Sequence, residues 1–493
     1  MNVALDAGRV SLSLVSHTNA GKTTLARTLL GRDVGEVRDE AHVTDAAQAF
    51  TLVDTPEGDA LTLWDTPGFG DSHRLARRLE QSGNPIGWML GQVWDRFRDR
   101  PFWFSPPAVR NVREQADLVL YLVNASEDPA DAAYVAPEMR ILDWIGKPVI
   151  ALLNQTGAPR APAEEAAEID RWRAHLSGCA SVRAVMALDA FARCWVQEVA
   201  LLRAVAEALP PRQQPAMERL VAAWRRQRRE AFDASMQVLA GRIARAALDR
   251  ETIAAAGVRD ALRDVGAALG VGRDKDPEKG PRGAAMRALA ERLEADVRSG
   301  TDRLIALHGL DGHASQVVLA RLAEHYAVTQ RVGEGKAAIL GGLVTGSLLG
   351  LKADLATGGL TLGGGLIAGG ILGAIGAAGL AKGYNLVRGA DSDSVTWADA
   401  VLDDLVVSAL LGYLAVAHYG RGRGEWSASE HPPHWEDFVR AAIASRHAPI
   451  RSVLARRHDR PPEQALGAAL APELSAVALK VLGRLYPDQD VGR

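Results

Sequence analysis

The chain of 493 residues contains only two cysteines, Cys179 and Cys194. Their separation fits neither a zinc-ligand spacing nor a redox pair; both suit a reducing cytosol and read as packing residues. Excess charge is also missing. The 57 Lys plus Arg against 60 Asp plus Glu leave a formal −3, so no global field draws the molecule toward nucleic acid or anionic lipid, and any such attraction must be local. The 12 histidines are scattered, and His431 with His434 form no zinc signature. The opening stretch MNVALDAGRVSLSLV lacks the basic start and long apolar run of an export signal and alternates as a strand does, which predicts a cytoplasmic protein. Aromatic residues make up just 5%, so a local concentration of them is informative.

What is present divides the chain by rhythm. Up to residue 209 short apolar runs (RVSLSLV, AFTLVD, ALTLWD, DLVLYLVN, KPVIALLN, SVRAVMA) alternate with helical patterns, which predicts an α/β domain with a mostly parallel sheet. PPRQQP at 210–215 punctuates the chain. Beyond it, Val221, Trp224, Arg228, Phe232, Met236, Leu239 and Ile243 fall at helical steps, an apolar stripe interrupted by one arginine. We expect a helical region over 210–335, a glycine-rich apolar hairpin over 336–389 and a C-terminal helical region over 390–493, so that everything after the first domain is all-α. The arginine cluster Arg225 to Arg229 reads as a solvated helix face, with anionic head groups or RNA as the sharper alternative.

Within the first domain, SHTNAGKTTL (16–25) lies between a strand and a helix, as a phosphate-binding loop requires. Backbone N–H groups and a helix N-terminus then converge on the phosphates. Lys22 neutralises the outer phosphates, and Thr23 takes the hydroxyl position that holds magnesium. Ser16, Asn19, Ala20, Gly21 and Thr24 complete the loop. Ser16 stands where the motif opens with glycine, and strain is expected if that position needs positive φ. LTLWDTPGFG ends a strand in Asp65, whose carboxylate reaches the metal shell, and Gly68 offers an N–H to a γ-phosphate. Thr44 lies where a switch threonine completes the metal shell in the triphosphate state. Asn154 and Gln155 close a later strand where a base-reading loop belongs.

On those residues, 10 to about 205 resemble the Era- and TrmE-like branch of translation-factor-type P-loop GTPases. The resemblance implies binding and hydrolysis of GTP with Mg2+, with Thr23, Thr44 and Asp65 as the metal shell. It assigns Asn19 to a potassium ion that stands in for an arginine finger, a device worth roughly 10³ to 10⁵ in rate. Loop shaping without an ion is the alternative. Phe69 occupies the place of the water-positioning glutamine, and a phenyl ring offers no hydrogen bond. Turnover alone is therefore expected near the roughly 10⁻⁴ s⁻¹ of an unassisted switch. Help then comes from potassium, from a homodimer through the switch regions or from a partner. The combination with a long C-terminal part containing DLATGGLTLGGGL and GYNLVRG looks like a bacterial family of GTPases with an appended domain of unknown function.

Three features depart from a minimal GTPase. The base-reading motif N-K-x-D is here Asn154-Gln155-Thr156-Gly157; without its aspartate, guanine selectivity comes from the resemblance alone and ATP stays open. Asn154 can still tie this loop to the phosphate loop, and residues 187–191 (ALDAF) can supply backbone N–H groups to the base. A long insertion, about 72–115, holds Trp88, Trp94, Phe97, Phe102, Trp103 and Phe104; it either packs onto the core or forms a docking surface tied to nucleotide state. Finally, Gly342, Gly346 and Gly350, then Gly365, Gly369 and Gly373, recur every four residues, and 356–381 carries no charge. That spacing suits a glycine zipper in a membrane hairpin, whereas the low share of Leu and Ile suits a buried hairpin in water. The expected protein is a cytoplasmic switch with association to the inner membrane. A soluble Era-like factor in ribosome or RNA maturation, and a nucleotide-binding scaffold with little turnover, are the alternatives; the nucleic-acid signal is weak.

Overall fold

The computed structural model describes residues 8–17, 20–31, 47–68, 105–156, 162–190, 194–253, 281–310, 384–387, 393–419 and 434–487, with 489 and 491. Two compact units divide the chain: residues 1–231 with 417–432 and 485–493, and residues 232–416 with 433–484.

In the first unit, strands β1 (Arg9–Ser16), β2 (Gln48–Asp54), β3 (Ala60–Asp65), β4 (Leu118–Asn124), β5 (Val149–Asn154) and β6 (Val182–Ala187) form one sheet in the order β2-β3-β1-β4-β5-β6. β2 runs antiparallel to β3; every other pairing is parallel. β4 and β5 are interior strands of this sheet and are buried along both faces, which is why LVLYLVN and VIALLN are unbroken apolar runs. Helices α1 (Lys22–Leu30), α2 (Ser105–Glu114), α3 (Val135–Ile145), α4 (Pro162–Leu176) and α5 (Trp195–Ala208) surround it. One face buries Val109, Val119, Tyr121, Met139, Leu142 and the fully enclosed Trp172 in a single cluster. Pro106 and Pro107 fall in the first turn of α2, where the missing N–H groups cost no intrahelical bond.

Helix α6 (Gln214–Leu248) starts in this unit after the turn at Pro210 and continues into the second. Its first half is fastened by charge. Arg219 grips the fully buried Asp59 with two hydrogen bonds (2.6 and 2.8 Å), and Asp59 also accepts the N–H of Gly8 at 2.7 Å. The arginine that breaks the apolar stripe is not part of a solvated face, which corrects the expectation for that residue. Arg228 lies 2.8 Å from the buried Glu198 carboxylate on α5, stacks over Trp224 at 4.2 Å and donates to the Leu29 carbonyl at the end of α1. Trp224 Nε1 donates to the same carboxylate at 3.1 Å.

The second unit is helical: the rest of α6, α7 (Pro281–Leu307), α8 (Asp399–Ala417), α9 (His434–Ala444), α10 (His447–Ala455) and α11 (Glu463–Leu485). It is not purely α, because β7 (Arg250–Thr252), β8 (Tyr384–Val387) and β9 (Ser394–Trp397) make a small antiparallel sheet in the order β7-β9-β8. β8 falls inside the expected glycine-rich hairpin; residues 336–383 of that hairpin lie outside the described residues. Gly467 on α11 meets Gly241 on α6 closely enough that a Cβ on Gly467 would sit 3.5 Å from the Gly241 Cα, so two helix backbones touch where both lack side chains. Helices α8 and α11 are long and apolar enough to cross a membrane, with mean hydropathy 1.9 and 1.6. Of those windows 67% and 44% are buried within the fold, and the core helix of a protein in water passes the same test.

Candidate nucleotide-binding site

The site begins where β1 runs out. Ser16 is still in the strand, paired with Leu122, and among the described non-glycine residues positive φ occurs at Gln155 and Arg460. The strain expected at Ser16 therefore does not arise: a strand end accepts a side chain. The Ser16 hydroxyl donates to the His17 carbonyl and accepts the Lys22 ammonium at 3.0 Å. Positive φ falls instead on Gly21 (+86°), which precedes the first helical residue and carries no side-chain cap. The N–H groups of the first turn of α1 and its macrodipole are the physical basis of anion binding there.

Lys22 is buried, and burial pushes its ammonium below the ordinary lysine value, opposed by the carboxylates of Asp65 and Glu138. Asp65, at the end of β3, accepts the Thr23 hydroxyl on Oδ2 at 2.6 Å, while its Oδ1 is buried without a hydrogen-bond partner. Burial raises the Asp65 carboxyl above the ordinary range; Thr23, Lys22 and Arg27 work against that. An orphaned buried carboxylate oxygen next to a hydroxyl is the hard oxygen set that Mg2+ takes, so the residues fit the ion. Thr66 Oγ1 donates to the Leu14 carbonyl at 2.5 Å and fixes the turn that carries Pro67 and the half-buried Gly68 past β1.

Asn154 joins three segments. Its Nδ2 donates to the Ala20 carbonyl at 2.7 Å, and its Oδ1 accepts the Ala190 N–H at 2.8 Å. The Ala190 N–H is therefore engaged by Asn154, which corrects the expectation that this part of 187–191 faces the base. Gln155 adopts φ +57°, and the next residue, Thr156, donates both its N–H (2.8 Å) and its hydroxyl (2.9 Å) to Oδ2 of Asp189. Thr24 is buried on α1. The structure thus brings together Ser16, Ala20, Gly21, Lys22, Thr23, Asp65 and Asn154. Asn19, Thr44, Phe69 and the aromatic part of the insertion lie outside the described residues.

Sequence reasoning missed a group under the phosphate loop. Glu138 on α3 is fully buried, takes the His17 imidazole on one oxygen (2.9 Å) and the Tyr121 hydroxyl on the other (2.6 Å). His17 also stacks on Tyr134, with ring centroids 4.5 Å apart. No local pattern announces a contact between residues 121 positions apart.

Comparison with known proteins agrees on the first domain. Residues 11–155 match the family model described as 50S ribosome-binding GTPase (MMR_HSR1), and residues 178–470 match the one described as Domain of unknown function (DUF3482). GTPase Era of Heliobacterium modesticaldum (strain ATCC 51547 / Ice1) is 26% identical over 144 residues, 29% of this chain and 38% of that protein. The chain thus spans well under half of that relative's length. Among solved structures, a variant of Aquifex aeolicus Era bound to GDP and AlF4− is 17% identical with a TM-score of 0.30, covering 41% of this chain and 57% of the other. Era in complex with MgGDPNP and a segment of 16S ribosomal RNA is 18% identical at the same TM-score, covering 41% and 58%. The first domain is a P-loop GTPase domain, and the region after it is helical.

Proposed function

The chain belongs to the DUF3482 family, whose model covers residues 178–470, and on that premise we propose that it works as a magnesium-dependent switch that binds and hydrolyses GTP. The observation that carries the proposal is Asp65: a buried carboxylate with one oxygen on Thr23 and the other unpartnered, adjacent in charge to a buried lysine. Magnesium, when bound, supplies neutralisation of the phosphates, with Thr23, Asp65 and Thr44 as the residues that would hold it. Lys22 leaves Ser16 for the outer phosphate oxygens, the amides of Ala20 to Thr24 grip the phosphates, and Gly68 senses the γ-phosphate. Asn19 would hold a potassium ion; its place in the NAGKT run supports this, and Phe69 leaves the role of a catalytic helper open. Hydrolysis acts on the aromatic insertion and the helical C-terminal region, with dimerisation through the switch regions. The uncharged run 356–381 is the feature that supports coupling to a membrane surface.

The test is equilibrium binding of fluorescent GTP and ATP with Mg2+ or EDTA, followed by single-turnover hydrolysis in potassium or sodium. We expect GTP binding that EDTA and Asp65→Asn weaken at least tenfold, and faster hydrolysis in potassium. Absence of binding by either triphosphate overturns the switch; equal rates in the two salts overturn the role of Asn19. Recovery of the protein in the supernatant without detergent removes the membrane coupling.

A further inference from the structure

We infer that Asp189 is the carboxylate that reads the guanine base, supplied from the loop after β6 in place of the acidic residue that the loop after β5 lacks. The inference deepens the proposed function and rests on it.

Two loops leave the carboxyl ends of the adjacent parallel strands β5 and β6. Residues 155–163 (QTGAPRAPA) contain no Asp or Glu, and residues 188–194 (LDAFARC) contain one, Asp189. Its backbone is pinned on both sides. The Leu188 N–H donates to the Leu153 carbonyl at 3.1 Å, the Ala190 N–H donates to Asn154, and the Thr28 hydroxyl of α1 donates to the Ala190 carbonyl at 2.9 Å. Leu188 and Ala190 are both buried. The Asn154 side chain that holds Ala190 also holds Ala20, so Asp189 is referenced to the phosphate loop through one amide. The carboxylate itself is oriented by Thr156, which gives Oδ2 two donors. A carboxylate has about four acceptor positions and no donor. It therefore complements an edge that presents donors only.

Guanine presents its N1–H and 2-amino group side by side. Adenine presents an acceptor at N1 and nothing at C2, so it would leave a carboxylate facing a lone pair. Xanthine replaces the 2-amino group by a carbonyl, which repels a carboxylate and accepts from an amide. If Asp189 merely caps the Thr156 turn, base identity will not respond to it.

The experiment measures binding of GTP, XTP, ITP and 1-methyl-GTP to the full chain and to Asp189→Asn. We expect the wild type to favour GTP over XTP by about 100-fold, and Asp189→Asn to lose roughly 10- to 100-fold for GTP while gaining XTP, so that the preference inverts. An unchanged GTP to XTP ratio in a folded variant overturns the inference and leaves the nucleotide site standing. Should the variant fail to fold, the wild type decides: each analogue lacking one donor must bind roughly tenfold or more weakly than GTP, and affinities equal to that of GTP for the three analogues overturn it. Binding of no purine triphosphate defeats the switch and this inference together.

Discussion

Replacing Gly21 by alanine tests how the phosphate loop and the base loop are joined. Two costs follow from the structure. Gly21 sits at φ +86°, and the left-handed region costs an L-residue roughly 1–2 kcal/mol. A Cβ there would also lie 2.6 Å from Asn154 Nδ2, so the amide must move. Asn154 is fully buried and held by its bonds to Ala20 and Ala190, so displacing it sacrifices two hydrogen bonds at roughly 0.5–1.5 kcal/mol each. The sum is about 2–5 kcal/mol, or roughly 4–20 °C in the unfolding of a unit of this size. Gly31 provides the control: it too has positive φ (+65°), but a Cβ there meets nothing within 4 Å, so Gly31→Ala bears the backbone cost alone. The assay is thermal unfolding of the full chain, following the transition that triphosphate binding shifts. Gly21→Ala must fall below Gly31→Ala by several degrees and must weaken GTP binding at least tenfold. Equal melting of the two variants would refute the claim that Asn154 braces the loop.

Two further predictions concern helix α6. The Arg219 guanidinium, with help from the Gly8 N–H and Thr55, holds the Asp59 carboxyl at about 2, below its ordinary 3.8, although burial pulls the other way. A depressed carboxylate contributes stability that is present above pH 4 and is lost as pH falls through 4 toward 2; discounted for solvent screening it amounts to about 1 kcal/mol. Asp59→Asn should therefore be less stable than wild type at pH 6 and converge with it near pH 2 in urea titrations, and a gap that persists at pH 2 would exclude this linkage. Arg228→Met removes the guanidinium from the buried Glu198 and should cost about 3–5 kcal/mol, with Glu198→Leu added to it restoring a good part; no recovery in the double variant would mean that packing on Trp224 dominates.

The phosphate end of the site was legible because it is local. Ser16 to Thr24 are contiguous, the flanking strand and helix declare themselves by periodicity, and DLVLYLVN and KPVIALLN betray strands buried on both faces. Backbone angle was not legible from residue identity: a serine in a glycine position reads as strain until the strand is seen to extend through it. The sheet of the second unit escaped because its strands are three or four residues long, too short for any alternation to register, and because β7 pairs with β9 across more than 140 positions. His17 with Glu138, and Arg228 with Glu198, escaped for the same non-local reason; a charged residue on an apolar stripe is ambiguous until its partner is known.

The base end differs in kind from the phosphate end. It is assembled from the tips of separate strands, so a required group can arrive from any loop that reaches the same place. Gly157 in the fourth position of the Asn154 motif reads as a lost carboxylate if the motif is treated as a word. In the fold, Thr156 bonds to an aspartate 33 positions later, on a loop tied to the same asparagine. If the carboxylate lost from one loop is supplied by the next, base selectivity in this chain follows Asp189 rather than the residue at 157.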